Sequence, residues 1–190
     1  MGSSSTAVLF LLVFSPLCLS VVTGAGKPHG GRSNKGLHSF FGARKEKLSH
    51  LHFYFHDILS GRNPSAVPII SNKTTMGFGS TFMIDDPLTE GPEPTSKLVG
   101  RAQGFYSLAS QHDLGLLMVM NFAFVSGKYN GSSLSIMGRN AILSDVREMP
   151  VIGGTGLFRW ARGYAQAHTV WIDPPTGDAV VEYHVHVLHY

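Results

Sequence analysis

The amino-acid sequence predicts an all-β domain, folded as an antiparallel barrel or a sandwich. Glycine is frequent, with 22 residues in 190, whereas charged residues make up only 14% of the chain, a balance that suits strands and turns. Strand-like runs recur along the chain and are separated by segments rich in Gly, Pro, Asn, Asp and Ser. None of the runs shows a helical period of 3.6 residues. Even the most apolar, "LLMVMNFAFV", contains aromatic residues and follows a glycine, which favours a buried strand.

Eight strands are predicted between residue 51 and the C-terminus. The segments "SGRNPS", "DDPLTEGPEPTS", "SGKYNGSS" and "DPPTGD" lie between strands and are assigned to turns. Short connections favour antiparallel pairing, and a closed barrel would remove the exposed edges of the sheet. The predicted strands are 51–59, 67–71, 75–85, 98–109, 114–126, 133–138, 158–172 and 178–190.

The first 25 residues are predicted to be a secretory signal peptide. Residues 7–22 are apolar and are followed by "TGAG", which places cleavage near Gly24 or Ala25. The apolar run is too short and too close to the terminus for a good membrane span. We therefore expect a secreted protein. Because the only cysteine, Cys18, lies in this run, the mature chain would have no disulfide and no thiol nucleophile.

Residues 26–49 are predicted to form a basic, flexible arm before a domain that spans 50–190. Residues 26–50 contain six Lys or Arg and one Glu, whereas the whole chain has a net charge of only +3, so the domain is slightly acidic. The arm is interpreted as a solvated linker or, alternatively, as a contact for anionic cell-wall polymers or membrane surfaces. A slightly acidic secreted domain argues against nucleic acid binding.

Two sequons are candidate glycosylation sites in a secreted chain, "NKT" at Asn72 and "NGS" at Asn130. Asn130 lies in a predicted hairpin turn, where an attached sugar would face solvent. The motif is short enough to occur by chance, so it marks candidates only.

The first predicted strand, "LHFYFHDIL", places a carboxylate on its more apolar face. Because successive side chains of a strand point to opposite faces, Asp57 shares a face with Leu51, Phe53 and Phe55. Asp57 is either a strand-end residue that reaches water near "SGRNP" or a carboxyl group inside an apolar barrel. In the second case desolvation would raise its pKa, which would allow it to act as an acid near neutral or mildly acidic pH.

Two further polar side chains are candidates for a site. Tyr106 shares a strand face with Ala102 and Gly104, so it is either a core tyrosine with a satisfied hydroxyl or a phenol that reaches a cavity. Arg147 lies among apolar residues in "VREMPV", where an unpaired cation would be costly. It should therefore have a carboxylate or a ligand as its partner.

The segment "GGTGLFRWARGYAQA" combines a tight backbone feature with a face of small side chains. "GGTG" is not a phosphate loop, because no Lys-Ser/Thr follows it. Beyond it, alternate residues are mostly Ala or Gly, which suits a narrow barrel interior or a close subunit contact. That face carries Arg159, Ala161, Gly163, Ala165 and Ala167, and the opposite face carries Phe158, Trp160, Arg162, Tyr164 and Gln166.

Histidine pairs raise the question of a metal site. His184 and His186 share a face of the last predicted strand with Glu182 beside them, and His52 and His56 share a face of the first. Neither pair has a compact second half, and half-buried histidines are common on strands. We therefore assign no metal ligand and no cofactor. A serine hydrolase is also disfavoured, because the chain has no G-x-S-x-G motif.

Long, ordered motifs across residues 50–190 resemble the plant dirigent protein family. They are "FYFHDILSGRNPSAV", "DDPLTEGPEPTSKLVGRAQGFY", "MNFAFVSGKYNGSSLSIMGRN", "VREMPVIGGTGLFRWARGYA" and "GDAVVEYHVHVLHY". The resemblance implies an eight-stranded antiparallel β-barrel of the calycin type, like that of allene oxide cyclase, assembled as a trimer rather than a dimer. It also implies a glycosylated protein of the apoplast or cell wall that has no redox cofactor.

The resemblance also implies a function. Lignan-forming members of the family take phenoxy radicals made by a separate laccase or peroxidase and direct their coupling. We therefore expect stereoselective coupling of phenoxy radicals, such as two coniferyl alcohol radicals; a tenfold preference needs only about 1.4 kcal/mol. Two alternatives are an enzyme that forms and cyclises a quinone methide, as in pterocarpan synthesis from isoflavanols, and a non-catalytic binding protein of the wall or of plant defence. The sequence does not decide whether the protein is an enzyme.

Motif by motif, the resemblance assigns roles to five residues. Asp57, Tyr106 and Arg147 correspond to polar pocket residues of the family. Asp57 would be a general acid, Tyr106 a hydrogen-bond donor to the substrate phenol, and Arg147 an anchor for phenolate oxygens or a group that tunes the acid. Phe53 and Phe55 are candidates for stacking on the substrate rings.

One position departs from the lignan-forming pattern. Those members carry an Asp in the segment before the Arg-containing strand, where "GRNAI" has Asn140. Asn cannot donate a proton as an acid. The departure places Asn140 among the candidate substrate-binding residues and favours the wider dirigent-like branch, which includes members of the pterocarpan-synthase type.

Overall fold

A computed structural model describes residues 45–71 and 77–190, most of which lie in nine β-strands. Two single-turn 3-10 helices, Gly127–Tyr129 and Gly156–Phe158, are also present. No helix in the described ranges is long and apolar enough to cross a membrane. The strands are β1 (Lys47–Asp57), β2 (Ala66–Ile70), β3 (Thr81–Thr89), β4 (Leu98–Leu108), β5 (Gly115–Phe124), β6 (Ser133–Ala141), β7 (Val146–Thr155), β8 (Arg162–Ile172) and β9 (Ala179–His189).

The strands form a closed antiparallel barrel. The order of hydrogen-bonded neighbours is β1-β9-β8-β7-β6-β5-β4-β3-β2, and β1 also pairs with β3. The pairing of β1 with β3 closes a ring of eight strands, while β2 pairs with β3 beside that ring. The prediction of an eight-stranded antiparallel β-barrel is therefore confirmed, and the sandwich alternative is excluded.

The strand β3 meets two partners along one of its edges. Its first half pairs with β2, and its last residues, Leu88 and Thr89, pair with the end of β1. The N–H of Asp85 donates to the carbonyl of Ser65, so the backbone of Pro87, two residues further on, faces the same edge. Pro87 lies between the residues of β3 that pair with β2 and those that pair with β1. Its missing N–H therefore costs no hydrogen bond between strands. The proline is therefore compatible with a strand, although "DDPLTEG" was assigned to a turn.

The inner wall of the barrel follows the alternation of the sequence. On β1, Leu51, Phe53 and Phe55 are buried, and Asp57 comes next on the same face. On β8, Ala165 and Ala167 are fully buried, so the small-residue face does line the narrow interior.

The strand β7 was missed in the sequence analysis. "VREMPVIGGT" contains a proline and two glycines, which are typical of turns, yet it pairs with β6 on one side and with β8 on the other. The predicted strand 158–172 also begins too early, since β8 starts at Arg162. Strand alternation predicted that Phe158 and Ala165 point to opposite faces. Both are fully buried, because Phe158 lies in a 3-10 helix and not in an extended strand. The predicted count of eight included β2 and omitted β7.

Other boundaries shift by a few residues. The strand β1 begins at Lys47, within the segment assigned to the arm, and β3 lies at Thr81–Thr89 rather than 75–85. The predicted signal peptide, most of the arm and the sequon at Asn72 lie outside the described residues. Asn130 is exposed and immediately follows the first 3-10 helix.

The narrow approach of β8 to β9 gives a stability prediction. A Cβ added at Gly163 would collide with the backbone carbonyl oxygen of His186. We expect Gly163→Ala to lower the free energy of unfolding by about 1–3 kcal/mol, because the backbone would have to shift. The matched control is Gly153→Ala in β7, where an added Cβ meets no atom within 4 Å. Urea unfolding measures both variants, and equal stabilities would contradict the close approach.

Candidate functional site

The barrel contains a cavity of about 590 Å³, a volume typical of small-molecule sites. Its lining comes from the ends of β1, β4, β6 and β8 and the beginnings of β3, β5, β7 and β9, so it opens at one end of the barrel. The wall is mainly apolar and aromatic, which suits a ligand with aromatic rings. Its apolar side chains include Phe55, Phe82, Leu108, Leu116, Met118 and Ile172.

The structure brings five of the six predicted site residues to this cavity. The sixth, Phe53, does not line it but is almost fully buried in the core. The ring of Phe53 packs edge-on against Phe122, with centroids 5.0 Å apart, and stacks with Tyr183 at 6.0 Å. Phe53 therefore packs against Tyr183, which lines the cavity, without lining the cavity itself. The residues that line the cavity are Phe55, Asp57, Tyr106, Asn140 and Arg147.

Asp57 projects into the apolar cavity at the end of β1. Its Oδ1 atom is buried and has no hydrogen-bond partner within the described part of the chain. Burial raises the pKa of Asp57 to about 7; a hydrogen bond from the Tyr106 hydroxyl opposes this shift, and the charge of Asp178 adds to it. The carboxyl group is thus mostly protonated at mildly acidic pH and can donate a proton.

Asp86 is a second buried carboxyl group, which the sequence analysis did not identify. It is completely inaccessible to solvent, and neither of its oxygens has a hydrogen-bond partner among the residues described. Burial and then the nearby charge of Asp57 raise the pKa of Asp86 to about 8. The nearby hydroxyl of Ser65, which donates a hydrogen bond to the carbonyl of His56, lowers the pKa of Asp86 to a lesser degree.

The closing pair of strands sets the two carboxyl groups next to each other. Phe55 of β1 lies opposite Leu88 of β3, and Asp57 and Asp86 are each two residues from this pair, so they lie on the same face and close enough for their charges to interact. Opposite residues in a sheet share a face. Two carboxyl groups in such a dry site cannot both ionise readily, so the pair retains a proton over a wide pH range. The alternation of Ile84, Asp86 and Leu88 was the available sequence signal, but the adjoining Pro and Gly concealed it.

Tyr106 lies beside Asp57 and can donate a hydrogen bond to a ligand while Asp57 is protonated. Its ring stacks on Phe82 with a centroid separation of 5.1 Å, which fixes the direction of the hydroxyl. Burial, followed by the charge of Asp57, raises the pKa of Tyr106 well above its usual value. The phenol therefore stays protonated and acts as a hydrogen-bond donor.

Arg147 provides a buried cation on the β7 wall of the cavity. Its Nε donates a hydrogen bond of 3.1 Å to Oδ1 of Asn140, while its Nη1 is buried without a partner in the described ranges. Burial lowers the pKa of Arg147, although it remains far above neutral pH. Because Asn140 is neutral, the guanidinium has no carboxylate at this contact and can bind an anionic oxygen of a ligand.

Two acidic residues shape the mouth of the cavity. The Asp178 carboxylate accepts hydrogen bonds from the N–H groups of Leu59 and Ser60, which holds the loop after β1 in place. Across the mouth, Nδ1 of His168 lies 3.1 Å from Oδ1 of Asp145.

Comparison with known proteins identifies the family. A protein-family model described as "Dirigent-like protein" matches residues 48–188, nearly the whole described barrel. The chain belongs to the dirigent family. The motif resemblance noted from the sequence is thereby confirmed.

Individual relatives share both the sequence and the barrel of this dirigent domain. Dirigent protein 7 of Arabidopsis thaliana is 60% identical over 153 residues, which cover 79% of this chain and 81% of the relative. Pterocarpan synthase 1 of Glycyrrhiza echinata is 48% identical over 193 residues, covering 99% and 100% of the two chains. The solved structure of the pterocarpan synthase dirigent protein GePTS1 matches with a TM-score of 0.77 and 51% identity, over 80% of this chain and 96% of that one.

The buried carboxyl pair gives a pH-dependent stability prediction. The pKa of Asp86 rises from 3.8 to about 8 on folding, so in this window the folded state keeps a proton that the unfolded state has lost. The contribution of Asp86 to stability therefore falls as the pH rises through the window. Because Asn carries no charge, Asp86→Asn should gain stability relative to wild type as the pH rises from about 5 to about 8, by about 1.4 kcal/mol per pH unit.

The measurement is a pair of thermal or urea unfolding series at matched pH values. Taking the difference between variant and wild type at each pH removes the histidine contributions, such as that of His56, whose pKa is lowered by burial. Asp85→Asn is the matched control, since Asp85 is exposed and bonded to Arg101. A stability difference between Asp86→Asn and wild type that does not change with pH would contradict the raised pKa.

Proposed function

We propose that this dirigent protein catalyses the loss of water from a phenolic substrate to give a quinone methide, followed by ring closure. The observation that carries the proposal is the carboxyl group of Asp57, held with a pKa of about 7 inside an apolar cavity. The similarity of the chain to proteins named pterocarpan synthase supports the same reaction class. Asn140, in place of the Asp of lignan-forming members, is consistent with this choice.

The proposed reaction needs no oxidant. The substrate is a phenol with a hydroxyl group on a benzylic carbon, as in an isoflavanol. Asp57 donates a proton to that hydroxyl, the carbon–oxygen bond breaks, and water leaves. The phenol loses its own proton, which returns through solvent to the Asp57 carboxylate and restores the acid. The neutral quinone methide then reacts at the benzylic carbon with a second phenol oxygen of the same molecule. The proton of that phenol returns to the quinone methide oxygen, so the sum of the steps is the loss of one water.

The other polar side chains of the cavity fit parts of this reaction. The Tyr106 hydroxyl donates its one proton to Asp57 when that carboxyl group is ionised; while Asp57 is protonated, the hydroxyl can donate to an oxygen of the substrate. The unpartnered Nη1 of Arg147 suits the oxygen that gains negative charge as the phenol proton leaves. Phe55 and Phe82 in the wall offer surfaces for the aromatic rings and help to exclude water.

A second candidate function is stereoselective coupling of phenoxy radicals supplied by a separate laccase or peroxidase. The observation that favours it is the size and aromatic wall of the cavity, because orienting radicals requires shape rather than an acid. Under this candidate Asp57 would act only after coupling, by protonating the quinone methide product.

The proposal also places the protein in the apoplast or cell wall as a glycosylated homotrimer. The apolar segment 7–22 supports secretion, and the exposed position of Asn130 is compatible with an attached sugar. Glycosylation at Asn72 rests on its sequon alone.

Removal of the acid should abolish most of the activity. We expect Asp57→Asn to lower kcat by about 100-fold or more, since general acid catalysis contributes about 10²–10⁴-fold. The assay uses the purified protein with an isoflavanol and no oxidant, and chiral chromatography separates the products. Asp85→Asn is the control, because Asp85 is an exposed carboxylate one residue from the buried pair.

Parallel reactions with coniferyl alcohol and laccase separate the two candidates. Enantiomeric excess in these reactions, with no turnover of isoflavanol, would overturn the dehydration proposal in favour of radical coupling. Racemic coupling without isoflavanol turnover would leave a binding protein.

The dependence of kcat on pH should report the protonation state of Asp57. Because Asp57 acts in its protonated form, kcat should be highest at mildly acidic pH and should fall as the pH rises through about 7. The measurement is kcat from about pH 5 to about pH 9 with saturating substrate. A rate that increases over this range would exclude Asp57 as the acid.

A further inference from the structure

The outer wall of the barrel carries a compact group of histidines on β1 and β9. In the register of these strands His50 lies opposite His186, His52 opposite His184, and Tyr54 opposite Glu182. These residues alternate with those that point into the core, so they share the outer face. The sequence analysis found no second half for either histidine pair, and the neighbouring strand supplies it.

The side chains of this group are already in contact. The Nε2 of His52 is 2.7 Å from Oε1 of Glu182, and the Nε2 of His184 is 3.7 Å from the same oxygen. The rings of His52 and His184 stack with centroids 4.5 Å apart and an interplanar angle of 9°. One ligand atom from each of the three residues lies within 4.8 Å of the others.

We propose that His52, Glu182 and His184 form a surface binding site for a divalent transition metal ion of the Zn²⁺ type. Two imidazole nitrogens and a carboxylate oxygen are a common three-ligand set for Zn²⁺, with water as the fourth ligand. Donor atoms about 2.1 Å from a tetrahedral ion lie about 3.4 Å apart. The observed separations of 2.7 and 3.7 Å bracket that value, so small rotations of exposed side chains complete the site.

His50 contacts one of the three proposed ligands, His184. Its Nε2 lies 2.9 Å from Nδ1 of His184. If Nδ1 of His184 carries the proton and donates it to His50, Nε2 of His184 has a free lone pair directed towards Glu182. A metal-binding histidine typically donates its second ring N–H in this way, which fixes the orientation of the ring.

The site is separate from the cavity and from the proposed reaction. None of its three ligands lines the cavity, and strict alternation places them on the opposite side of the barrel wall. A bound ion would join β1 to β9. It would stabilise the folded barrel, because the unfolded chain cannot hold the three ligands together.

The test uses the mature secreted chain without a polyhistidine tag. Titration with Co²⁺ should give the visible absorption of a tetrahedral site, and Zn²⁺ should displace it with one equivalent per chain. We expect His52→Gln, His184→Gln and Glu182→Gln to weaken binding by at least tenfold, and His50→Ala to weaken it by about tenfold. The matched control is His112→Gln, an exposed histidine in the loop before β5, which should bind as wild type does.

A second measurement does not depend on cobalt geometry. Zn²⁺ should raise the Tm of wild type at neutral pH. His184→Gln should lose this increase while retaining its Tm without metal and its activity on phenolic substrates. The proposal is overturned if wild type and His184→Gln bind the metal equally, or if His112→Gln loses as much affinity as His184→Gln.

Discussion

The closure of the barrel at β1 is the interaction on which the rest of the structure depends. β1 pairs along its whole length with β9, from Lys47 opposite His189 to Asp57 opposite Ala179, and its last residues also pair with β3. Without the pairing to β3 the sheet would be open, and its inner face would need another layer to cover it. With this pairing, the inner side chains line a cavity at one end of the barrel and pack into a core in the rest of it.

Because β1 forms part of a closed wall, its two faces lie in different environments. Phe55 and Asp57 face the dry interior, where a carboxyl group holds its proton to about pH 7. His50 and His52 face outwards, where their imidazoles are accessible to ligands from solvent. One short segment thus carries both the proposed acid and one of the three proposed metal ligands, on opposite faces of the same strand.

The interior of the barrel contains polar groups that do not serve stability. Asp86 and Nη1 of Arg147 are buried without hydrogen-bond partners in the described part of the chain. Such groups are costly in an apolar core, and a sequence selected for stability alone would replace them. Arg147 lines the cavity and Asp86 lies behind it, near Asp57. This is the pattern expected where proton transfer takes precedence over stability. The packing of Phe53 against Phe122 and Tyr183 forms part of the rigid support that such a site requires.

The sequence by itself determined the features that depend on local alternation. It placed Asp57 on the inner face of β1 and the alanines of β8 in the interior, because the two-residue period of a strand is a property of the segment alone. Tertiary structure decided which residues from different strands meet. The pairing of β7 with β6 and β8 made a strand of a segment with turn-like composition, and the β1–β3 register set Asp86 beside Asp57. The β1–β9 register likewise brought His52 to Glu182, which lies 130 residues further along the chain. Strand neighbours and register are set by closure of the whole barrel, so no single segment encodes them.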